Sequence, residues 1–152
     1  MDTTRVDPEA AEVRCVALHA ETARAAQWSL AKLVAEQHTG LVAARVYLSL
    51  RRRERLGGTA VGHGLAIPHA RIAGLSKAEI VVAVFDGAVP YDHETPDGEP
   101  LRMMALVVSD PARPREHLAA LSLVSRTLAK LQPRASTPAP SGPVAPPPSA
   151  PS

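Results

Sequence analysis

The stretch from Gly62 to Arg71, GHGLAIPHAR, holds two histidines six positions apart, with Gly62, Gly64 and Pro68 around them. Histidine can ligate a metal, and it can attack phosphorus as a covalent nucleophile, because a neutral imidazole carries a free nitrogen lone pair near neutral pH. A mononuclear metal site needs three or four ligands at recognisable spacings. The six histidines (His19, His38, His63, His69, His93 and His117) form no HExxH or HxH, so a metal would require the chain to fold His63 onto His69. Serine is a poorer candidate: Ser29, Ser49, Ser109, Ser122 and Ser125 lie in helical or strand-end contexts, and no GxSxG elbow is present. A histidine nucleophile needs a ring held with one nitrogen exposed, a stiff backbone, and donors for the phosphoryl oxygens. Pro68 fixes its own φ and biases Ile67 toward the extended region, which presents His69 on a stiffened turn. Gly62 and Gly64 permit close backbone approach. Arg53 and His117 are candidate partners for an oxyanion if the fold brings them near.

The elements that would position these residues follow from pattern. VRCVAL, from Val13 to Leu18, is short, apolar and β-branched, hence a strand, and Cys15 within it reads as an inert core thiol. A helix follows from Thr22, with Ala26, Leu30, Leu33, Val34 and Gln37 on one stripe and Gly40 as its stop. A second runs from about Leu41, with Val42, Val46, Tyr47 and Leu50 inward, and ends in Arg51 to Arg55, cations that complement the dipole of a solvated helix end. After the GHGLAIPHAR loop come two continuously apolar strands, IVVAVF from Ile80 and MMALVV from Met103, as expected of sheet interiors covered on both faces. TPDGEP, with Asp97 and Gly98, reads as a turn between them. A last helix spans Arg115 to Leu131, with Leu118, Leu121, Val124, Thr127, Leu128 and Leu131 as its stripe and His117 beside it. The pattern predicts a single α/β domain, a mixed sheet flanked by helices, over residues 11–132. Residues 1–10 read as a loose leader. Residues 133–152 hold eight of the 15 prolines and read as a disordered or polyproline-like tail.

Composition narrows the partners. Of the 152 residues 45% are hydrophobic but only 3% aromatic, so Ala, Val and Leu must fill the core. Net charge is +2, from 17 basic and 15 acidic residues, which gives no global reason to expect a nucleic-acid partner. One cysteine excludes an internal disulfide and a multi-cysteine zinc site. The two longest apolar runs are six residues each, against roughly 20 for a membrane span, and the N-terminus carries no signal-peptide pattern. A cytoplasmic protein without membrane insertion is expected.

With these residues in view, RERLGGTAVGHGLAIPHARIAGL, from Arg53 to Leu75, resembles the active-site segment of the fructose/mannitol-type IIA proteins of the bacterial phosphoenolpyruvate:sugar phosphotransferase system, most nearly their nitrogen-regulatory branch. The family pattern, roughly RExLGSTGIGxGxAIPHG, is met at Arg53, Glu54, Leu56, Gly57, Thr59, Gly62, Gly64, Ala66, Ile67, Pro68 and His69. PYDHETPDGEPLRMMALVV resembles the family's PIxFDAxDGxPVxLxFxLLV, and REHLAALSLVSRTLA its xxHLxxLSxVAxxL. The resemblance implies a phosphocarrier in which His69 accepts a phosphoryl group at Nε2 from the phosphohistidine of an HPr-like carrier. It further implies that His117 supports the ring or the phosphate, that Arg53 contacts phosphoryl oxygens, and that regulatory target proteins read the phosphorylation state. No metal or cofactor is implied. His63 matches a variable position.

Three departures stand out. Gly58 replaces the family's usual serine, leaving Thr59 as the neighbouring hydroxyl. Ala70 replaces a glycine. The family's further helical structure gives way to the Pro-rich segment. Two other readings follow from these: a IIA-like interaction protein that no longer transfers phosphate, and a sugar-transport IIA component.

Overall fold

The computed structural model describes residues 12–131, so the leader (1–10) and the Pro-rich segment (133–152) lie outside the described residues. The chain runs β1 (Glu12–Leu18), α1 (Ala23–Glu36), α2 (Ala43–Glu54), β2 (Ala60–Gly62), β3 (Leu65–Ala66), β4 (His69–Arg71), β5 (Glu79–Val89), β6 (Leu101–Ser109) and α3 (Pro114–Leu131). The strands form one mixed sheet in the order β1-β5-β6-β3-β2, with β4 also pairing β6. The expected α/β architecture is thus observed.

β5 and β6 pair antiparallel at the centre, and their alternate residues enter two cores. Val81, Ala83, Met104, Leu106 and Val108 face α1 and α2, meeting Leu30, Val34, Val46 and Leu50. Ile80, Val82, Ala105 and Val107 face α3, meeting Ala120, Val124 and Leu128. Burial on both faces explains why these strands read as unbroken apolar runs. The helices start where side chains allow: Thr22 Oγ1 accepts the Ala25 N–H at 3.0 Å and caps α1.

Four expectations change. VRCVAL does form a strand, but an edge one, parallel to β5 alone; Val13 and Cys15 lie on its face toward α3, which packs on β5 and β6, and both are exposed. Cys15 is therefore not a core thiol. Val42 is the residue before α2 and is exposed, because that helix begins at Ala43, two residues later than its apolar pattern suggests. In α3 the buried stripe is His117, Ala120, Val124 and Leu128; Val124 and Leu128 are as read from sequence and Leu121 packs beside them, but in the first turn His117 takes the inward place and Leu118 points to solvent with 65% of its surface exposed.

GHGLAIPHAR is the fourth. It is not a free loop but a sheet edge. Gly62, His63 and Gly64 all take positive φ, of 95°, 58° and 78°, and turn the chain tightly from β2 into antiparallel β3. β3 and β4 then lie in line along β6, pairing parallel with Met103–Met104 and Val107–Ser109 respectively. The break between them is Ile67–Pro68, since proline has no N–H to give a ladder. Pro68 still offers its carbonyl to the Val107 N–H at 3.0 Å, and the Ile67 N–H donates to the Thr59 carbonyl at 2.9 Å.

Candidate active site

His69 opens β4, at the point where the ladder resumes after Pro68. Its Nδ1 lies 3.1 Å from the Ile67 carbonyl oxygen. A carbonyl can only accept, so Nδ1 must carry the proton and Nε2 must hold the lone pair. The Arg53 Nε–H donates to that lone pair at 3.1 Å. The ring is half-buried, and desolvation holds its pKa below the ordinary imidazole value against the opposing pull of the Ile67 carbonyl; the Arg53 charge lowers it further. A neutral imidazole with one defined free nitrogen is the state a nucleophile requires.

His117 reaches the same place from α3. Its ring centroid is 5.4 Å from that of His69, the planes inclined by 58°. The Ser109 hydroxyl, at the end of β6, sits 2.6 Å from its Nδ1. His117 is buried, and desolvation, then the charges of Arg71 and His69, push its pKa down to about 4. The connection into α3 is itself tied down. Asp110 accepts the Ala112 N–H at 2.8 Å and the Gly74 N–H at 2.9 Å, which joins the start of the helix to the chain leaving β4. Those two amides hold its carboxyl below the usual range.

Arg53 comes from the last turn of α2. Besides His69 it donates through Nη1 to the Gly57 carbonyl at 2.9 Å. The arginine cluster therefore divides: Arg52 and Arg55 are exposed, as expected of a solvated helix end, while Arg51 and Arg53 are bonded inward. Arg51 donates to the buried Gln27 at 2.8 Å and to Asp92 at 3.0 Å. Glu54 is fully buried, its carboxylate accepting the hydroxyls of Thr59 and Tyr91, each at 2.7 Å. Thr59 is thus committed to Glu54 and does not stand in for the serine hydroxyl that Gly58 lacks.

The structure brings together all three residues singled out from the sequence, His69, His117 and Arg53, and gives His63 different contacts. His63 is an exposed turn residue whose backbone N–H donates to Asp97 at 2.8 Å, so Asp97 is the clasp of the β2–β3 turn. Sequence reasoning missed Glu54, Tyr91, Ser109 and Arg71. Glu54 carried a signal, as the second residue of the matched RExLG, and Arg71 closes the GHGLAIPHAR stretch itself; Tyr91 and Ser109 are distant in sequence and ordinary in type. His38, unremarkable in sequence, pairs with the buried Glu79 at 2.8 Å, which also binds Arg14. Among the described residues no group of three or more His, Cys, Asp or Glu could hold a metal ion, and no helix is long and apolar enough to cross a membrane.

Residues 11–134 match the model of the phosphoenolpyruvate-dependent sugar phosphotransferase system EIIA 2 family. The chain belongs to that family. The IIA chain is 36% identical over 122 residues to a nitrogen regulatory protein of Bradyrhizobium diazoefficiens, covering 80% of this chain and 78% of that one. Among solved structures it is similar to nitrogen regulatory protein IIA-Ntr of Neisseria meningitidis, with a TM-score of 0.67, 26% identity and 78% coverage of each chain. It shares its fold with the mannitol IIA of Escherichia coli, with a TM-score of 0.59 at 17% identity, over 89% of this chain and 93% of that one.

Proposed function

We propose that this IIA chain is a cytoplasmic phosphocarrier in which His69 Nε2 accepts a phosphoryl group from the phosphohistidine of an HPr-like carrier, and that regulatory target proteins respond to its phosphorylation state. The observation that carries the reading is the locked tautomer. With Nδ1–H held on the Ile67 carbonyl, only Nε2 can attack, and it faces the Arg53 guanidinium.

In the step itself, the Nε2 lone pair forms a bond to phosphorus while the donor's N–P bond breaks and its electron pair returns to the donor imidazole. His69 then carries Nδ1–H and Nε2–P together, as the donor ring carried N–H and N–P before, so no net proton is released. Arg53 is the placeholder: it occupies Nε2 in the resting protein and turns its donors onto phosphoryl oxygens as they arrive, a charge-assisted contact. His117, kept neutral by burial, adds a ring beside the phosphate without placing a second full positive charge next to the imidazolium. Breaking one phosphoramidate to make another is close to balanced, so positioning does most of the work and no metal or cofactor is invoked. Regulatory output is supported by the 36% identity to a protein named for nitrogen regulation.

Incubation with phosphoenolpyruvate, Enzyme I and an HPr-type carrier tests the reading. The expected result is an acid-labile, base-stable label that is absent from His69→Ala. No label on correctly folded protein rejects transfer.

A further inference from the structure

Gly58 poses a problem that the phosphocarrier reading leaves open. Its φ lies outside the left-handed region, so the backbone does not demand glycine. Space does. A Cβ at this position would lie 2.9 Å from the Tyr91 hydroxyl oxygen, 3.0 Å from His93 Cβ and 3.2 Å from Tyr91 Cε2, too close for any side chain without movement of the ring. Glycine at 58 is the condition for tyrosine at 91. Set against the family pattern, serine is lost at 58 where isoleucine and phenylalanine are replaced at 91 and 93, and the fold puts these three positions in contact.

What Tyr91 does with that space is specific. Its hydroxyl donates to Glu54 Oε1 at 2.7 Å and accepts the Thr59 N–H at 2.7 Å. It therefore joins the C-terminal end of α2 to the segment Gly57–Thr59. Arg53 is held between those two: it belongs to α2, its Nη1 donates to the Gly57 carbonyl, and its Nε donates to His69. The tyrosine is anchored in turn, because the next residue, Asp92, accepts from Arg51 at 3.0 Å and Arg24 at 3.4 Å. Glu54 has both oxygens taken, and removing the tyrosine hydroxyl would leave Oε1 and the Thr59 N–H without this partner.

We propose that Tyr91 is a positioning residue of this site, its hydroxyl, in the room left by Gly58, fixing the Arg53–Glu54 end of α2 against His69. The inference rests on the phosphocarrier reading for its effect on rate, but not for its geometry. Tyr91→Phe keeps the ring and removes the hydroxyl. Uptake of phosphoryl should slow by about 10- to 100-fold, the cost of a misplaced reacting group, and should slow alike with the phosphorylated HPr-type carrier and with phosphoramidate, a small donor that needs no docking. Gly58→Ser and Tyr91→Ile should each slow uptake, and the loss in the double variant should be smaller than the product of the two single losses, because no tyrosine ring is left for the serine to displace. A Tyr91→Phe rate equal to wild type, a loss confined to the protein donor, or a double variant whose loss is the product of the two single losses would each overturn the proposal.

A second readout needs no donor. The His69 titration, followed by NMR of its ring nitrogens, should shift in folded Tyr91→Phe, since Arg53 and Glu54 both act on that ring. An unchanged titration counts against the proposal. If wild-type protein takes up no phosphate at all, the functional reading fails while this titration still decides whether Tyr91 positions the site.

Discussion

At the scale of single residues, the proposed site holds two histidines that burial keeps neutral. Burial lowers the His69 pKa, so above about pH 6.5 the ring is uncharged and Nε2 is free to react. The fall in phosphoryl uptake as the imidazole protonates and loses its lone pair should therefore have its midpoint below about pH 6.5; a midpoint above that would contradict the assignment. In the proposed transfer Arg53 would act through its forked donors, which a lysine cannot reproduce. Arg53→Lys should lower the single-turnover rate by about 10²-fold, in the range seen when one oxyanion donor is removed. His117→Ala should still accept phosphate, but more slowly; a rate equal to wild type would reject a supporting role.

At the scale of elements, each site residue is delivered by a separate piece of structure: α2 for Arg53, the restart of the sheet at β4 for His69, and α3 for His117. The α3 helix shows how far sequence reading reaches. Its existence, its bounds and its inward Val124 and Leu128 are legible from periodicity, but the side its first turn presents is not. Leucine at 118 and histidine at 117 compete for the inward position, and the histidine occupies it because Ser109 supplies a hydrogen bond there. Consequently Leu118→Ala should change stability by less than about 0.5 kcal/mol, whereas Leu128→Ala should cost about 2–4 kcal/mol. Thermal or denaturant unfolding distinguishes the two, and equal losses would put the sequence-derived stripe back in place. GHGLAIPHAR was legible as a special segment because His, Gly and Pro are uncommon together, yet its place in the sheet was not. Pairing with β6 is a contact between distant residues, and a two-residue strand has no period to read. The Glu54–Thr59–Tyr91 network was hidden for the same reason: nothing in a lone tyrosine announces which buried carboxylate it will meet.

At the scale of the whole molecule, a site built from neutral buried histidines makes folding sensitive to acid. The folded pKa of His117 is about 4 against about 6.5 when unfolded. Between those values the unfolded chain binds more protons, so stability is fully present above about pH 6.5 and is lost as pH falls toward 4. The shift of His69 has the same sign. The melting temperature should therefore hold steady between about pH 7 and 8 and drop between 6.5 and 4, with a shallower drop in His117→Gln, which can still bond Ser109 but does not titrate. An identical slope in the variant would assign the acid sensitivity elsewhere. Arg53, the AIPH run and His117, far apart in a chain of ordinary composition, converge because two cores hold helices on opposite faces of one sheet.

The most direct test of the account is NMR of the protein labelled with 15N-histidine, before and after phosphorylation by the carrier system. The account predicts Nδ1–H and unprotonated Nε2 for His69 in the resting protein, and after transfer a phosphorus coupling to Nε2 of His69 alone, with Nδ1–H retained. Phosphate on Nδ1, or on His117, would contradict it.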